Sequence, residues 1–244
     1  NVINRHGLQG LSFCSQQQPS GQAAWNHAGL PESVLTGDGR FDSVKERLRT
    51  WQPIEGIEDF IQGRKVLILG SSWPEDEALI LPLIHRFPQI AFILAPHDVS
   101  RASSINQALP TTALMWSSWS TSSLEEKQDS KLLLVDTMGE LFTFYGHANM
   151  AMIGGGFKQG LHNVLEAMVH GLPTCFGPET DGHWEADKAI QSGHANTVSN
   201  SDELKQWIDD CLQKTSPAKQ IKGFIDQHAG ANTKVKHLVE DQLF

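Results

Sequence analysis

Residues 150–176 read MAMIGGGFKQGLHNVLEAMVHGLPTCF. Two short apolar runs, 150–153 and 173–176, enclose a glycine-rich turn and a stretch of helical length. Within that stretch Leu161, Val164, Leu165, Met168 and Val169 fall at i, i+3, i+4, i+7 and i+8. Such spacing defines one apolar stripe on a helix expected over 161–170. Gly171 followed by Pro173 supplies its stop. The unit is strand, turn, helix, strand, which is the building block of a parallel sheet covered by helices.

The same alternation extends in both directions. Residues 65–69, 90–95, 113–116 and 132–135 read as further strands, rich in Val, Ile and Leu as strands buried on both faces are. Residues 75–86, 140–147, 183–192, 201–213 and 233–243 read as helices. The fold expected is α/β, a doubly wound parallel sheet of the Rossmann-like kind, over residues 34–244. Residues 16–22 (QQQPSGQ) are polar and rich in breakers. The first 33 residues are therefore expected to be a linker or the short remnant of a preceding domain. Residues 117–129 (SSWSTSSLEEKQD) are expected to form a surface loop.

The chain of 244 residues carries a formal charge of −9. That balance argues against a nucleic-acid partner, whose phosphates call for a basic face. Cys14, Cys175 and Cys211 are scattered and odd in number, so neither a disulfide framework nor a zinc site is indicated, and a reducing cytoplasm fits. No apolar run is long enough to span a bilayer, and no signal peptide is apparent. The first residue is Asn1 rather than Met, which suggests a fragment or a processed chain.

Chemistry is expected at the strand-to-helix junctions, because loops at the carboxyl ends of parallel strands converge on one crevice. In Gly154-Gly155-Gly156-Phe157-Lys158-Gln159-Gly160 the glycines allow backbone N–H groups to approach a phosphate, with a helix start at Leu161 adding donors. The spacing is neither G-x-G-x-x-G nor G-x-x-x-x-G-K-[ST], so nicotinamide and P-loop chemistry lose ground. Asn163 and Glu166, three apart, are helix neighbours. Either they hydrogen-bond ribose hydroxyls and a second ligand group, or Asn163 is a local cap and Glu166 a solvated residue. A second junction, Asp136-Thr137-Met138-Gly139-Glu140, offers Asp136 and Thr137 as caps. A third, 70–77 (GSSWPEDE), offers hydroxyls to a ligand, while its acidic run is equally read as complementing a helix dipole.

Six stretches together resemble the 3-deoxy-D-manno-octulosonic acid (Kdo) transferases, a family of the GT-B glycosyltransferase fold. They are VLTGDGRFD (34–42), GSSWPEDE (70–77), APH (95–97), DTMGEL (136–141), GGGFKQGLHNVLEA (154–167) and GPE (177–179). The resemblance implies the C-terminal, donor-binding half of an enzyme that moves Kdo from CMP-Kdo to a lipid A precursor in lipopolysaccharide synthesis. It implies nucleotide and phosphate contacts from Met138, Gly139 and Glu140, a donor contact from Asn163 and a ribose contact from Glu166. Ser71, Ser72, Pro96, His97, Gly155 and Gly156 complete the implied donor site. Many members carry Pro-Arg-His where Pro96 is here followed by His97, so His97 or Arg101 stands in for that cation, or His97 is a loop residue.

The family further implies an inverting transfer that needs no metal or cofactor, with the catalytic base in a missing N-terminal domain. This chain by itself would then bind donor without turnover. Location on the cytoplasmic face of the inner membrane, with peripheral contact only through that other domain, is likewise implied. Two rival readings are a GT-B enzyme using a UDP-sugar and a non-catalytic nucleotide-binding module.

Overall fold

The computed structural model describes residues 14–28, 33–109 and 113–243. Of the stretch expected to be a remnant, residues 1–13 and 29–32 lie outside the described part. By packing, the described residues up to Thr50 form one compact unit with those from Gly223 onward, and Trp51–Lys222 form another. The compositional break expected at residue 33 is thus a different division from the packing one.

The first unit opens with β1 (Cys14–Gln16), α1 (Pro19–His27) and β2 (Ser33–Leu35), the two strands pairing in parallel. Residues 16–22 therefore end a strand and begin a helix. Pro19 fits because the first turn of a helix needs no N–H there. None of the described residues of α1 is buried. In α2 (Gly39–Arg49), Asp38 caps the start by accepting from Arg40 N at 2.9 Å. The fully buried Phe41 stacks on His228 at 5.3 Å. Asp42 accepts from Gly230 N at 2.7 Å and Asn232 N at 3.1 Å. Residues 34–42, quoted above for their resemblance, thus hold this unit together.

The second unit contains α3 (Glu58–Ile61), β3 (Lys65–Ser72), α4 (Pro74–Ile80), β4 (Ile90–Pro96), α5 (Ala102–Ala108), β5 (Leu114–Met115), α6 (Leu124–Asp129), β6 (Leu132–Leu134), α7 (Leu141–Tyr145), β7 (Met150–Ile153), α8 (Leu165–Met168), β8 (Thr174–Phe176), α9 (Trp184–Gln191), β9 (Ala195–Thr197) and α10 (Ser201–Gln213). Then α11 (Ala218–His228) leads into α12 (Ala231–Leu243) of the first unit. Among the described residues, seven strands pair in parallel in the order β5-β6-β4-β3-β7-β8-β9. From β3 the chain winds outward to β5, then returns to β7 and winds the other way. The topological switch falls between β3 and β7, where doubly wound sheets open a crevice.

Several expected elements differ. The helix expected over 75–86 divides into α4 and a 3-10 segment, Leu81–Arg86, because Pro82 has no N–H to continue the α ladder. The loop expected over 117–129 contains α6, started by a reciprocal Ser123–Glu126 capping box. The helix expected to begin at Leu161 begins at Leu165 instead. There His162 N is already donated to Gly154 O at 3.1 Å, and the Asn163 side chain accepts from Leu165 N at 3.1 Å. An Asn that bonds forward to the backbone in this way competes with helix and then starts it. The apolar stripe is buried throughout all the same.

Candidate functional site

The walls of the crevice are the carboxyl ends of β3 and β7. Gly70 has no room for a side chain, since a Cβ there would stand 2.1 Å from the Tyr145 hydroxyl. The β3–β4 register shifts between Gly70 and Ser72, and Ser71 adopts φ 54°, a left-handed conformation costing a non-glycine residue about 1 kcal/mol. This turn aims Ser71 O at the neighbouring strand end. A Cβ on Gly154 would meet it at 2.2 Å, while Gly154 N donates to Gly70 O at 2.9 Å. Ser72 is fully buried, and its hydroxyl donates to Glu77 Oε1 at 2.8 Å.

The acidic run at the start of α4 turns inward instead of simply complementing a helix dipole. Asp76 is fully buried; its Oδ2 accepts from Trp73 N at 2.9 Å and from Gly155 N at 3.0 Å, while Oδ1 has no partner. Burial pushes its pKa up to about 6 against the opposing pull of those two hydrogen bonds. Glu77 takes a two-pronged contact from Arg101, at 2.9 and 2.7 Å. That contact raises the guanidinium pKa and occupies it. Of the two candidates for a cation at the ligand, Arg101 is thus held in an ion pair, and His97 is exposed.

His97 donates its backbone N–H to Ser72 O at 3.0 Å, following the buried Pro96. Its ring lies 4.7 Å from Trp73 and 4.5 Å from His162, nearly parallel to both. Trp73 Nε1 donates to His162 Nε2 at 3.1 Å. The indole and the imidazole are joined edge to edge, with His97 stacked across them. Burial, followed by the charges of His97 and His183, lowers the His162 pKa. Low proton affinity suits a ring that must keep one nitrogen as an acceptor.

The glycine turn differs from the expected phosphate cradle. Gly155 (φ 91°) lies against Gly160 O, and Gly156 against Gly177, where added Cβ atoms would come within 2.2 and 2.6 Å. These glycines are present because backbone packs on backbone. Gly155 N is committed to Asp76, and the four-residue α8 begins too late to present donors at Leu161. Beyond the turn, Asn163 is exposed with its oxygen on Leu165 N, and Glu166 is half-buried.

At the β6 junction Asp136 and Thr137 do not cap α7. Asp136 instead accepts from Ser117 N at 2.8 Å and Ser117 Oγ at 2.6 Å, and Thr137 donates to Glu140 Oε2. Met138 is 75% exposed, Gly139 is left-handed at φ 99°, and Glu140 is half-buried. Helices α7 and α8 pack together. Tyr145 of α7 reaches Gly70, and its hydroxyl pKa is raised by burial and then by the Glu166 charge. The fold therefore draws the junctions after β3, β4 and β7 into direct contact and links the β6 junction to them through α7. Sequence reasoning missed Trp73, Asp76, Tyr145 and His162. Only the acidic run hinted at Asp76, since its partner Gly155 lies 79 residues away.

No protein-family model matches the chain. Over 200 residues it is 28% identical to the 3-deoxy-D-manno-octulosonic acid transferase of Rickettsia typhi, which covers 80% of this chain and 43% of that protein. The chain thus spans less than half the length of that relative. In structure it is similar to the C-terminal CMP-Kdo binding domain of WaaA from Acinetobacter baumannii, with a TM-score of 0.59 and 20% identity over 77% of this chain and 96% of that one. It is also similar to the Methanocaldococcus jannaschii UDP-GlcNAc 2-epimerase, with a TM-score of 0.53 and 15% identity over 94% of this chain and 61% of that one. These likenesses establish a Rossmann-like α/β fold of the GT-B kind.

Proposed function

We propose that this chain, 28% identical over 200 residues to a 3-deoxy-D-manno-octulosonic acid transferase, is the donor-binding half of such an enzyme and holds CMP-Kdo for transfer to a lipid A precursor. The observation that carries this reading is the crevice at the β3–β7 switch, where the junctions bearing Ser71, His97, Gly155 and Asn163 meet. Exposed Met138 and Gly139, with Glu140, flank it by way of α7 and receive the nucleotide. Glu166 holds the ribose hydroxyls, and Asn163 offers the amide N–H groups left over from its capping role. His97 meets the phosphate.

The transfer is inverting and uses neither metal nor cofactor. A carboxylate of the other domain deprotonates the acceptor hydroxyl as CMP leaves, and donors at this crevice stabilise the departing phosphate. On this reading the isolated chain binds donor without turning it over, and membrane contact at the cytoplasmic face belongs to the other domain. Among the described residues no helix is long and apolar enough to cross a membrane.

Calorimetry with CMP, UDP and ADP tests the proposal. Preference for CMP is expected, and Glu166→Ala should weaken CMP binding by about 1–3 kcal/mol, the worth of charge-assisted hydrogen bonds. Preference for UDP would move the chain to the epimerase-like branch of the fold, and failure to bind any nucleotide would refute a donor site.

A further inference from the structure

Four contacts close a ring around the head of the crevice. Asp76 Oδ2 accepts from Gly155 N at 3.0 Å and from Trp73 N at 2.9 Å. Trp73 Nε1 donates to His162 Nε2 at 3.1 Å, and His162 N donates to Gly154 O at 3.1 Å. The ring joins the loop after β3 to both ends of the turn after β7, and the exposed His97 is stacked on it. Helix capping accounts for the bond to Trp73 N but not for the one to Gly155, which belongs to another strand's loop.

Nor is the carboxylate satisfied by its surroundings. It is fully buried, and Oδ1 has no partner. Leaving a buried carboxyl oxygen unmatched is costly, and capping α4 alone does not require it. Gly154 is fitted to the same arrangement, because a Cβ there would lie 2.9 Å from Asp76 Oδ2 as well as against Ser71 O.

We propose that Asp76 is a positioning residue for the donor phosphate: it latches the glycine turn to the bulged end of β3 and so holds His162, and through it His97, at the height the phosphate requires. The role rests on the donor-site reading above. Asp76 itself does not touch the ligand. Its effect should therefore appear in recognition of the phosphate and not of the nucleoside.

The test uses the full chain, wild type and as Asp76→Ala, Asp76→Asn and Trp73→Phe. Two readouts are taken: hydrogen exchange of the Gly155 amide without ligand, and the ratio of CMP to cytidine affinity. Asp76→Ala should speed Gly155 exchange and lower the ratio about tenfold, the scale of one charge-assisted hydrogen bond. Asp76→Asn keeps an acceptor in place and should restore both readouts to within about threefold of wild type. If Asp76→Ala does not fold, Trp73→Phe still decides, since it removes the Nε1 donor to His162 while a smaller aromatic ring stays beside His97 in a partly exposed position, and it should lower the ratio about threefold.

An unchanged ratio in Asp76→Ala or Trp73→Phe, or an Asn variant as impaired as the Ala variant, overturns the latch as a determinant of phosphate recognition. A wild-type chain that binds neither CMP nor cytidine overturns the donor-site reading, and the role in phosphate recognition falls with it. Gly155 exchange that is accelerated in Asp76→Ala and normal in Asp76→Asn would then still establish the physical link between the two loops.

Discussion

At the amino ends of the strands the second unit carries an open cavity of about 550 Å³, with Lys65, Asn149, Pro173, Trp207 and Lys214 among its walls. The loops at the carboxyl ends of β3 and β7 are braced by close backbone contacts: Gly154 against Ser71, Gly156 against Gly177, and a fully buried Asp76 between two loops. Charges at the first end sit on the surface, as in the exposed Lys214–Asp210 pair at 2.7 Å. Those at the second are buried, as Asp76 and Glu77 are. Left-handed Ser71, buried carboxylates and glycines without room for a methyl group show where the fold has been committed to one geometry, which is how functional sites store strain and perturbed titration.

The sharpest way to break this contrast is Gly154→Ala. The added methyl would meet Ser71 O, a backbone atom that cannot rotate away, so a loss of about 4 kcal/mol is expected in denaturant unfolding. A loss below about 1 kcal/mol would show that the carboxyl-end packing is loose.

A smaller effect follows from Asp76. Its native pKa, about 6, lies above the ordinary 3.8, so between those values the native state binds more protons than the unfolded one. Stability should accordingly fall as pH rises through that window, by about 3 kcal/mol for a shift of this size. Asp76→Asn cannot titrate there. Its stability relative to wild type should grow by that amount between pH 4 and pH 7, and a constant difference would show that the carboxyl is better solvated than the structure indicates.

Least affected should be the amino end. Lys214 is 71% exposed, and Lys214→Ala should change stability by no more than about 0.5 kcal/mol and leave CMP affinity alone. A tenfold loss of CMP binding there would assign function to the cavity and invert the comparison.

Much of the sheet was legible because its inner strands are continuous apolar runs. Residues 65–69 and 150–153 carry their burial on their face, and Leu67, Ile68 and Met152 are completely buried. Strand β9 was not legible, since in Ala195–Thr197 only Ala195 is buried and the pattern has no periodicity. The capping box in α6 was present as Ser123-x-x-Glu126, though hidden in a Ser-rich stretch.

The amino-acid sequence by itself determined the parallel α/β class and the positions of the strand-to-helix junctions, because apolar periodicity and turn residues act over short distances along the chain. Tertiary structure alone decided the strand order, the late start of α8, and the use of the glycines for backbone packing. It also decided that Asp76 faces inward to Gly155 and that Arg101 is held by Glu77. Those outcomes depend on which atoms meet when distant segments pack, and a carboxylate that solvates in one environment becomes a latch in another.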